Sequence, residues 1–499
     1  MNNEIKTHGI SSFQPRSTDT IIFSRQLTVA FLFLMTVLMS VQVIKTGNLV
    51  FMIGLVGFPF ALLLMNAPLL TLVIALIINA SMLPMPGFSA GKLGLLFQLI
   101  LAGTYFLGTL IGNQSLKKNN IPGSKWVLRY GIWLLVLMAV RGTGFRSLGS
   151  TTWGGQRYVV QFVSIILFFV LPNLRLEKKH IRWIIWGGLI AGIIGSVYSL
   201  KTGTIFDVET ADAVTKSRKA WLTAFYFSLI PIVFAFKAKK VRMFNVFLLL
   251  FIVFIVTLTG FRNRLIGLGA TIFIYGAFKA KNKNQYVAAM VALALIGWIS
   301  IIFVSSHLPL EMQRTVSIIP GTHVLDEVKT IADSSITWRI ELWQYSLTQA
   351  PKYFWIGRGM TIDVLDVLKN AGVNSFQSGN QWFMFQMHGY HSGPIALLID
   401  LGIPGTIIYI LFTGIVLKTM WRYAKKLAKL DTFESRFALF LCIDVIWKFV
   451  AFYLIFGGVA LIGEQIVFFA IALLMSKSVL SFKENQISNE AIKLKQDII

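Results

Sequence analysis

Cysteine and charged side chains are both scarce in this chain. Among 499 residues there is one cysteine, Cys442, which excludes an internal disulfide and a cysteine-based metal cluster. Charged residues make up 13% of the chain, about half of the usual share in a soluble domain. Hydrophobic residues make up 56%, and the mean hydropathy is +0.71. A soluble fold of this length cannot bury so much apolar surface, so the composition predicts an all-α, polytopic membrane protein.

About 14 apolar segments are long enough to be transmembrane helices. The first follows a polar start with no evident cleavage site, so we interpret it as a retained span. The predicted organisation is helices 1–11 within residues 1–306, one large loop at 307–393, helices 12–14 within 394–480 and a tail at 481–499. The predicted spans lie near residues 28–44, 48–65, 67–83, 93–113, 126–140, 158–172, 183–200, 220–236, 243–260, 264–278, 286–306, 394–417, 437–455 and 458–476.

Acidic residues are also few, 21 against 46 lysines and arginines, and the formal net charge is +25. Most of the basic residues fall in alternate short loops, such as the one with Lys237, Lys239, Lys240 and Arg242. By the positive-inside rule these loops are cytoplasmic, which predicts cytoplasmic termini and an external 307–393 loop. The excess of basic residues then mainly sets the membrane topology, and the expected partners of these residues are anionic lipids rather than nucleic acid.

Arginine takes a larger share of the basic residues on the predicted outer side. Its planar guanidinium binds phosphate or carboxylate through two parallel hydrogen bonds, so the bias indicates an anionic ligand there. Arg262 and Arg264 flank a very short turn and need an anion beside them, for which a diphosphate is the obvious candidate. Chance and contacts with lipid headgroups are the alternatives. Other arginines on this side that can join them are Arg141, Arg146, Arg157 and Arg218.

Histidine is rare, and four of the six histidines lie in the large loop. His391 is placed where that loop meets the twelfth span, a position suited to proton transfer near neutral pH. A helix-cap or interfacial role is the alternative. Asp444 and Lys448 are four residues apart and are predicted to pair. Asp400 and Glu464 could be proton-relay residues or could pair with outer-side arginines, and we favour the structural pairing. No metal-ligand spacing and no phosphate-binding glycine loop is found in the sequence.

The motif around His391 resembles that of the O-antigen ligase and O-antigen polymerase superfamily. His391-Ser392, nine residues, Gly402, two residues and Gly405 match the histidine pattern of that family. Arg264 followed by Leu268 fits its arginine pattern, while Arg262 in Thr-Gly-Phe-Arg is similar to its Thr-Gly-Ser-Arg, so both arginines fit. The segments Ser335–Trp343, which includes Arg339, and Pro351–Gly359 resemble the family's loop. The segment that begins at Arg218 resembles its middle-span entry.

The resemblance implies a glycosyltransferase of the bacterial inner membrane that needs no metal and no other cofactor. Its donor is a saccharide on undecaprenyl diphosphate, presented at the outer leaflet, and its acceptor is a glycan, either a lipid-linked repeat unit or lipid A-core. A chain-length regulator is a further implied partner. His391, Arg262 and Arg264 are the predicted catalytic residues. The predicted substrate-binding residues are Arg141, Arg146, Arg218, Arg339 and His388.

Three functions remain open at this point. The span count favours polymerisation of O-antigen or other surface polysaccharide repeat units, whereas the histidine pattern favours a ligase that transfers glycan to lipid A-core or to a protein. A transporter or flippase of lipid-linked sugars is the alternative from another class. A transporter is expected to show repeat symmetry and charges along a central path. The polar groups here cluster on one predicted side, which favours an enzyme.

Overall fold

A computed structural model describes residues 121–144, 153–174, 176–202, 229–230, 233–234, 242–258, 262–363 and 381–496. All of them belong to one of the two compact units of the chain. The first four predicted spans and most of the span at 220–236 lie outside the described residues. Arg146 and Arg218 lie outside them as well.

The described chain is helical, as the composition predicts, with one isolated antiparallel bridge between Trp153 and Ile362. The first six helices coincide with predicted spans because each is a long apolar run with polar residues or glycine near its ends. For example, Gly123 and Gly142, both with positive φ, bound the first helix. These helices are α1 Ser124–Arg141, α2 Gly155–Val170, α3 Lys178–Thr202, α4 Arg242–Leu258, α5 Arg262–Lys279 and α6 Lys283–Val304.

The predicted loop 307–393 contains three helices, namely α7 Leu310–Val316, α8 Asp326–Gln349 and α9 Gln381–Gln386. The sequence predicts an amphipathic helix near residues 338–347, and α8 includes it but begins a full three turns earlier. Asp326 and Glu327 occupy the first turn of α8, where carboxylates stabilise a helix. The helix passes into a 3-10 turn at Ala350–Tyr353, which contains Pro351.

The last part of the chain begins with α10 Gly393–Ala396, a π turn at Leu397–Leu401 and α11 Gly402–Ala428. Two further helices follow, α12 Phe433–Leu454 and α13 Ala460–Gln496. Asp444 and Lys448 of α12 form the predicted ion pair, with 2.7 Å between carboxylate and ammonium.

An aromatic core joins α2, α11, α12 and α13. Phe168 stacks on Phe469 with 6.0 Å between ring centroids, and Phe412 packs against both rings. Tyr409 packs on Phe449 and Phe452, and its hydroxyl donates a hydrogen bond to Gln465. This core fixes the position of α11, and therefore of the segment before it that carries His391.

Five helical segments are long and apolar enough to cross a membrane, counted within the described residues only. They are Gly155–Asn173, Lys283–His307, Gly393–Ala428, Phe433–Leu454 and Ala460–Glu484. The described part of the chain is therefore that of an all-helical membrane protein. The count of about 14 spans and the external position of the 307–393 loop stay predictions.

Candidate functional site

A break in the twelfth predicted span forms the base of the site. The π turn Leu397–Leu401 separates α10 from α11, and π turns are frequent at functional sites. Gly402 follows with φ +68°, and a Cβ there would lie 2.7 Å from the amide nitrogen of Gly357. A side chain at residue 402 would therefore be strained and would push the Gly357 turn away. This explains the first glycine of the histidine motif in physical terms.

The Gly357-Arg358-Gly359 turn packs directly on this break. The amides of Arg358 and Gly359 donate hydrogen bonds to the carbonyls of Ile399 and Asp400, at 2.7 and 2.9 Å. A Cβ at residue 357 would collide with the Asp400 carbonyl, so only glycine permits this approach. The turn thereby satisfies carbonyl groups that the π turn leaves without helical partners.

Arg141 holds the same turn from the other side. Its Nε and Nη2 donate hydrogen bonds to the carbonyls of Gly357 and Ile356, each at 2.9 Å. Arg141 was predicted to bind substrate, but two of its donors serve the protein backbone. Its position therefore favours a positioning role for the turn.

His388 and Asp400 form a buried pair beneath the His391 segment. His388 Nδ1 lies 2.8 Å from Asp400 Oδ1, and His388 Nε2 lies 3.0 Å from the Thr361 carbonyl oxygen. The two side chains are 5% and 1% exposed. Each ring nitrogen therefore lies within hydrogen-bond distance of an oxygen atom. His388 was also predicted to bind substrate, whereas this burial favours a structural role.

Tyr390 adds a second donor to the same carboxylate. Its hydroxyl donates a hydrogen bond to Asp400 Oδ1 at 2.8 Å, and its carbonyl accepts one from Trp343 Nε1 at 2.8 Å. Burial, followed by the nearby Asp400 charge, raises the pKa of Tyr390 well above its ordinary value. The phenol therefore stays protonated and remains a donor. His388 and Tyr390, both just before His391 in sequence, are thus tied to one buried group that follows it.

Arg358 fixes the start of this segment. Its guanidinium donates hydrogen bonds to the carbonyls of Phe385 and Gln386, at 2.5 and 3.2 Å, and to the Gln386 side chain. It also lies over the Phe385 ring, 4.7 Å from the centroid. Arg157 of α2 donates to the Met387 carbonyl at 3.1 Å. Two arginines therefore position the peptide that leads to His391.

His391 itself is half-buried and lies between aromatic rings. Its ring is 5.0 Å from the Phe456 ring and 5.7 Å from the Trp338 ring, measured between centroids. Nδ1 is buried and has no hydrogen-bond partner among the described residues. The backbone has φ +52°, an uncommon conformation for which histidine is enriched. The ring is thus held in place by packing, with polar capacity left for another molecule.

The electrostatic surroundings keep His391 neutral. Burial lowers the pKa of His391 from its ordinary value of 6.5, and the positive charge of Arg339 lowers it further. A neutral imidazole can accept a proton at pH 7. The structure therefore brings together two of the predicted residues, His391 and Arg339, in an arrangement that suits a general base.

Arg262 and Arg264 occupy the first turn of α5, at the same end of the bundle. Lys279, the last residue of α5, donates to the carbonyls of Ala428 and Leu430 just before α12 begins. Gly267, twelve residues earlier, lies against Trp447 near the other end of α12. The two helices are therefore antiparallel. The arginines reach the level where α12 ends and where Phe456 contacts His391, and the N-terminus of α5 adds its own attraction for an anion.

Sequence reasoning missed the positioning roles of Arg358 and Tyr390. Asp400 was expected to pair with outer-side arginines, but in the structure it pairs with a histidine and a tyrosine. The proline- and glycine-bounded turn around Arg358 was the available signal. Within the described residues, no group of three His, Cys, Asp or Glu side chains is placed to hold a metal ion.

Comparison with known proteins identifies one family. Residues 247–410 match a protein-family model described as O-antigen ligase. No curated protein matches the chain. The matched region begins within α4 and ends within α11, so it contains Arg262, Arg264, Arg339, the Arg358 turn and His391. Residues 247–410 of the chain are therefore similar to the O-antigen ligase family.

Proposed function

We propose that the protein is a glycosyltransferase at the outer face of the cytoplasmic membrane. It transfers a saccharide from undecaprenyl diphosphate to a hydroxyl group of a glycan acceptor. The family match supports a reaction of the O-antigen ligase and polymerase type on lipid-linked glycans. The observation that carries the proposal is His391, a packed, neutral histidine beside Arg339 and at the same end of the bundle as Arg262 and Arg264.

The proposed step is a direct displacement at the anomeric carbon of the donor sugar. The acceptor oxygen forms a bond to that carbon while the bond from the carbon to the diphosphate oxygen breaks, which inverts the configuration. His391 accepts the proton of the acceptor hydroxyl. The leaving diphosphate gains negative charge, which Arg262 and Arg264 stabilise because guanidinium groups bind phosphate oxygens in pairs.

The acceptor distinguishes two candidate reactions. The number of predicted spans favours polymerisation of repeat units, and the family model, described as O-antigen ligase, favours transfer to lipid A-core. A deletion strain separates them. Surface glycan of a single repeat unit indicates a polymerase, whereas loss of surface glycan with lipid-linked polymer left behind indicates a ligase.

A reconstituted assay tests the transferase reaction itself. Purified protein in liposomes that contain lipid-linked oligosaccharide and acceptor should form a glycosidic product without any energy source. Movement of the intact donor between leaflets without product would instead support the transporter alternative.

Substitutions of Arg262 and Arg264 separate the effect of the positive charge from the effect of the planar guanidinium geometry. Arg262→Lys and Arg264→Lys keep the positive charge but lose the planar fork, so lysine should restore activity poorly and alanine should be worse. Removing one donor from such a clamp costs about 10²–10³ in turnover. Product formation at matched membrane abundance measures the loss. Arg129→Lys, at the opposite end of α1 from Arg141, is the matched control. Full activity of both alanine variants would leave contact with lipid headgroups as the only role.

Arg339 gives a prediction on pH. Because the Arg339 charge lowers the pKa of His391, Arg339→Gln should raise that pKa toward its ordinary value. The rate falls as pH drops through the pKa of a general base, so the acid limb of kcat/KM should move to higher pH in the variant. A rise in KM with an unmoved acid limb would show that Arg339 acts only by binding substrate.

A further inference from the structure

A largely apolar groove, bordered by cationic side chains, lies at the end of α11 that is remote from His391. It is lined by three cationic side chains of one helix, Lys418, Arg422 and Lys425, together with Trp421. Leu417, Ile446 and Val450 complete its wall, and its volume is about 460 Å³. That volume falls within the range of small-molecule sites.

The three cations share one face of α11. Their spacing of four and three residues places them one above the other along the helix. All three are exposed, and no ion pair with an acidic side chain is formed by any of them among the described residues. Like charges at this spacing repel each other, so the groove is suited to an anion that lies along the helix.

The rest of the groove is apolar and aromatic. Trp421 is 46% exposed, packs edge-on against Phe278 at 4.8 Å, and lies 5.8 Å from the Lys425 ammonium. Lys418 lies ten residues before Ala428, about 15 Å along the helix axis. The helix belongs to a segment that is long and apolar enough to cross a membrane. Leu417 ends the predicted span 394–417, and Ile446 and Val450 lie in the predicted span 437–455, so the apolar wall belongs to the predicted membrane layer and the three cations follow it toward the headgroups.

We propose that this groove is a binding site for an anionic phospholipid. The lipid phosphate contacts Arg422 and Lys425, Lys418 extends toward it, and an acyl chain lies on Leu417, Ile446 and Val450. An acidic peptide would match the charge but would leave the apolar wall at membrane depth unexplained. Tryptophan next to lysine and arginine is the side-chain set of a membrane–water interface. The site is remote from His391 and independent of the proposed transfer reaction.

Native mass spectrometry of the full-length protein in detergent tests this site. Phosphatidylglycerol and phosphatidylcholine with identical acyl chains are added in equal amounts, and bound lipid is counted. The wild-type protein should retain phosphatidylglycerol in preference to phosphatidylcholine. The variant K418Q/R422Q/K425Q should lose the preference, by about fivefold for each cation removed. Lys426→Gln, an exposed neighbour outside the groove, should behave like wild type.

Thermal unfolding gives a second readout. A lipid that binds the folded state raises the unfolding temperature, so phosphatidylglycerol should stabilise wild type and Lys426→Gln but not the triple variant. Arg422→Gln alone takes its place if the triple variant does not accumulate. Equal retention of both lipids by wild type, or an unchanged preference in the triple variant, would overturn the proposal. Displacement of the lipid by inorganic phosphate would overturn it in favour of a free-anion site.

Discussion

Replacing His391 with asparagine is expected to lower turnover by about 10²–10⁴, the usual contribution of a general base. Asparagine is the appropriate replacement because the backbone at residue 391 has φ +52°, and asparagine tolerates that conformation better than alanine does. The unfolding temperature should stay close to that of wild type, since no hydrogen bond to the ring Nδ1 is lost among the described residues. Product formation and thermal unfolding of the same purified samples provide both measurements.

His307→Asn is the matched control. His307 is an exposed histidine of the same predicted loop, and its ring contacts only the neighbouring Ser306 hydroxyl in the hydrogen bonds described. The control should retain activity. The acid limb of the wild-type pH profile should lie below pH 6.5, because burial and Arg339 both lower the pKa of His391. Normal product from His391→Asn would remove the general base from the mechanism and most of the support for the enzyme assignment.

The helical fold was predictable because few backbone structures are stable in the hydrocarbon layer of a membrane. Long apolar runs must satisfy their backbone groups internally, so runs such as 286–306 and 437–455 appear as helices close to their predicted bounds. The first half of α8 was not predicted. Residues 326–337 alternate charged, small and apolar side chains without a clear stripe, and the acidic residues in the first turn give only a weak start signal.

Site residues that belong to a sequence motif were predictable. Residues whose hydrogen-bond partners are backbone atoms were not. His391 and Gly402 follow from motif spacing. Arg358 binds the carbonyls of Phe385 and Gln386. Every residue has a backbone carbonyl, so the residue types at these positions do not indicate the contact. The π turn adds a further difficulty, because it rotates Asp400 away from the position that a regular helix would give it. A period of 3.6 residues cannot therefore reveal that Asp400 faces His388 and Tyr390.

The pairing of His388 with Asp400 leads to a second large effect, on stability. His388→Asn retains tolerance for the φ of +61° at this position but cannot bridge Asp400 Oδ1 and the Thr361 carbonyl. Asp400 would then keep the Tyr390 hydroxyl as its donor and lose its hydrogen bond with the His388 ring while still buried. Leaving a buried hydrogen-bonding group without its partner typically costs about 1–3 kcal/mol, and more for a charged group, so a fall in the unfolding temperature is expected.

A double-mutant cycle separates this structural role from the substrate contact that the sequence suggested. Asp400→Asn alone should also destabilise the protein, whereas the double variant His388→Asn/Asp400→Asn should lose less than the sum of the two, since both changes disrupt the same hydrogen bond. Product formation should fall in both single variants because the Arg358 turn and the His391 segment lose their common anchor. His323→Asn, an exposed histidine of the same loop, should leave stability unchanged. If both single variants instead unfold at the wild-type temperature and raise only KM, then His388 contacts substrate directly and the anchor lies elsewhere.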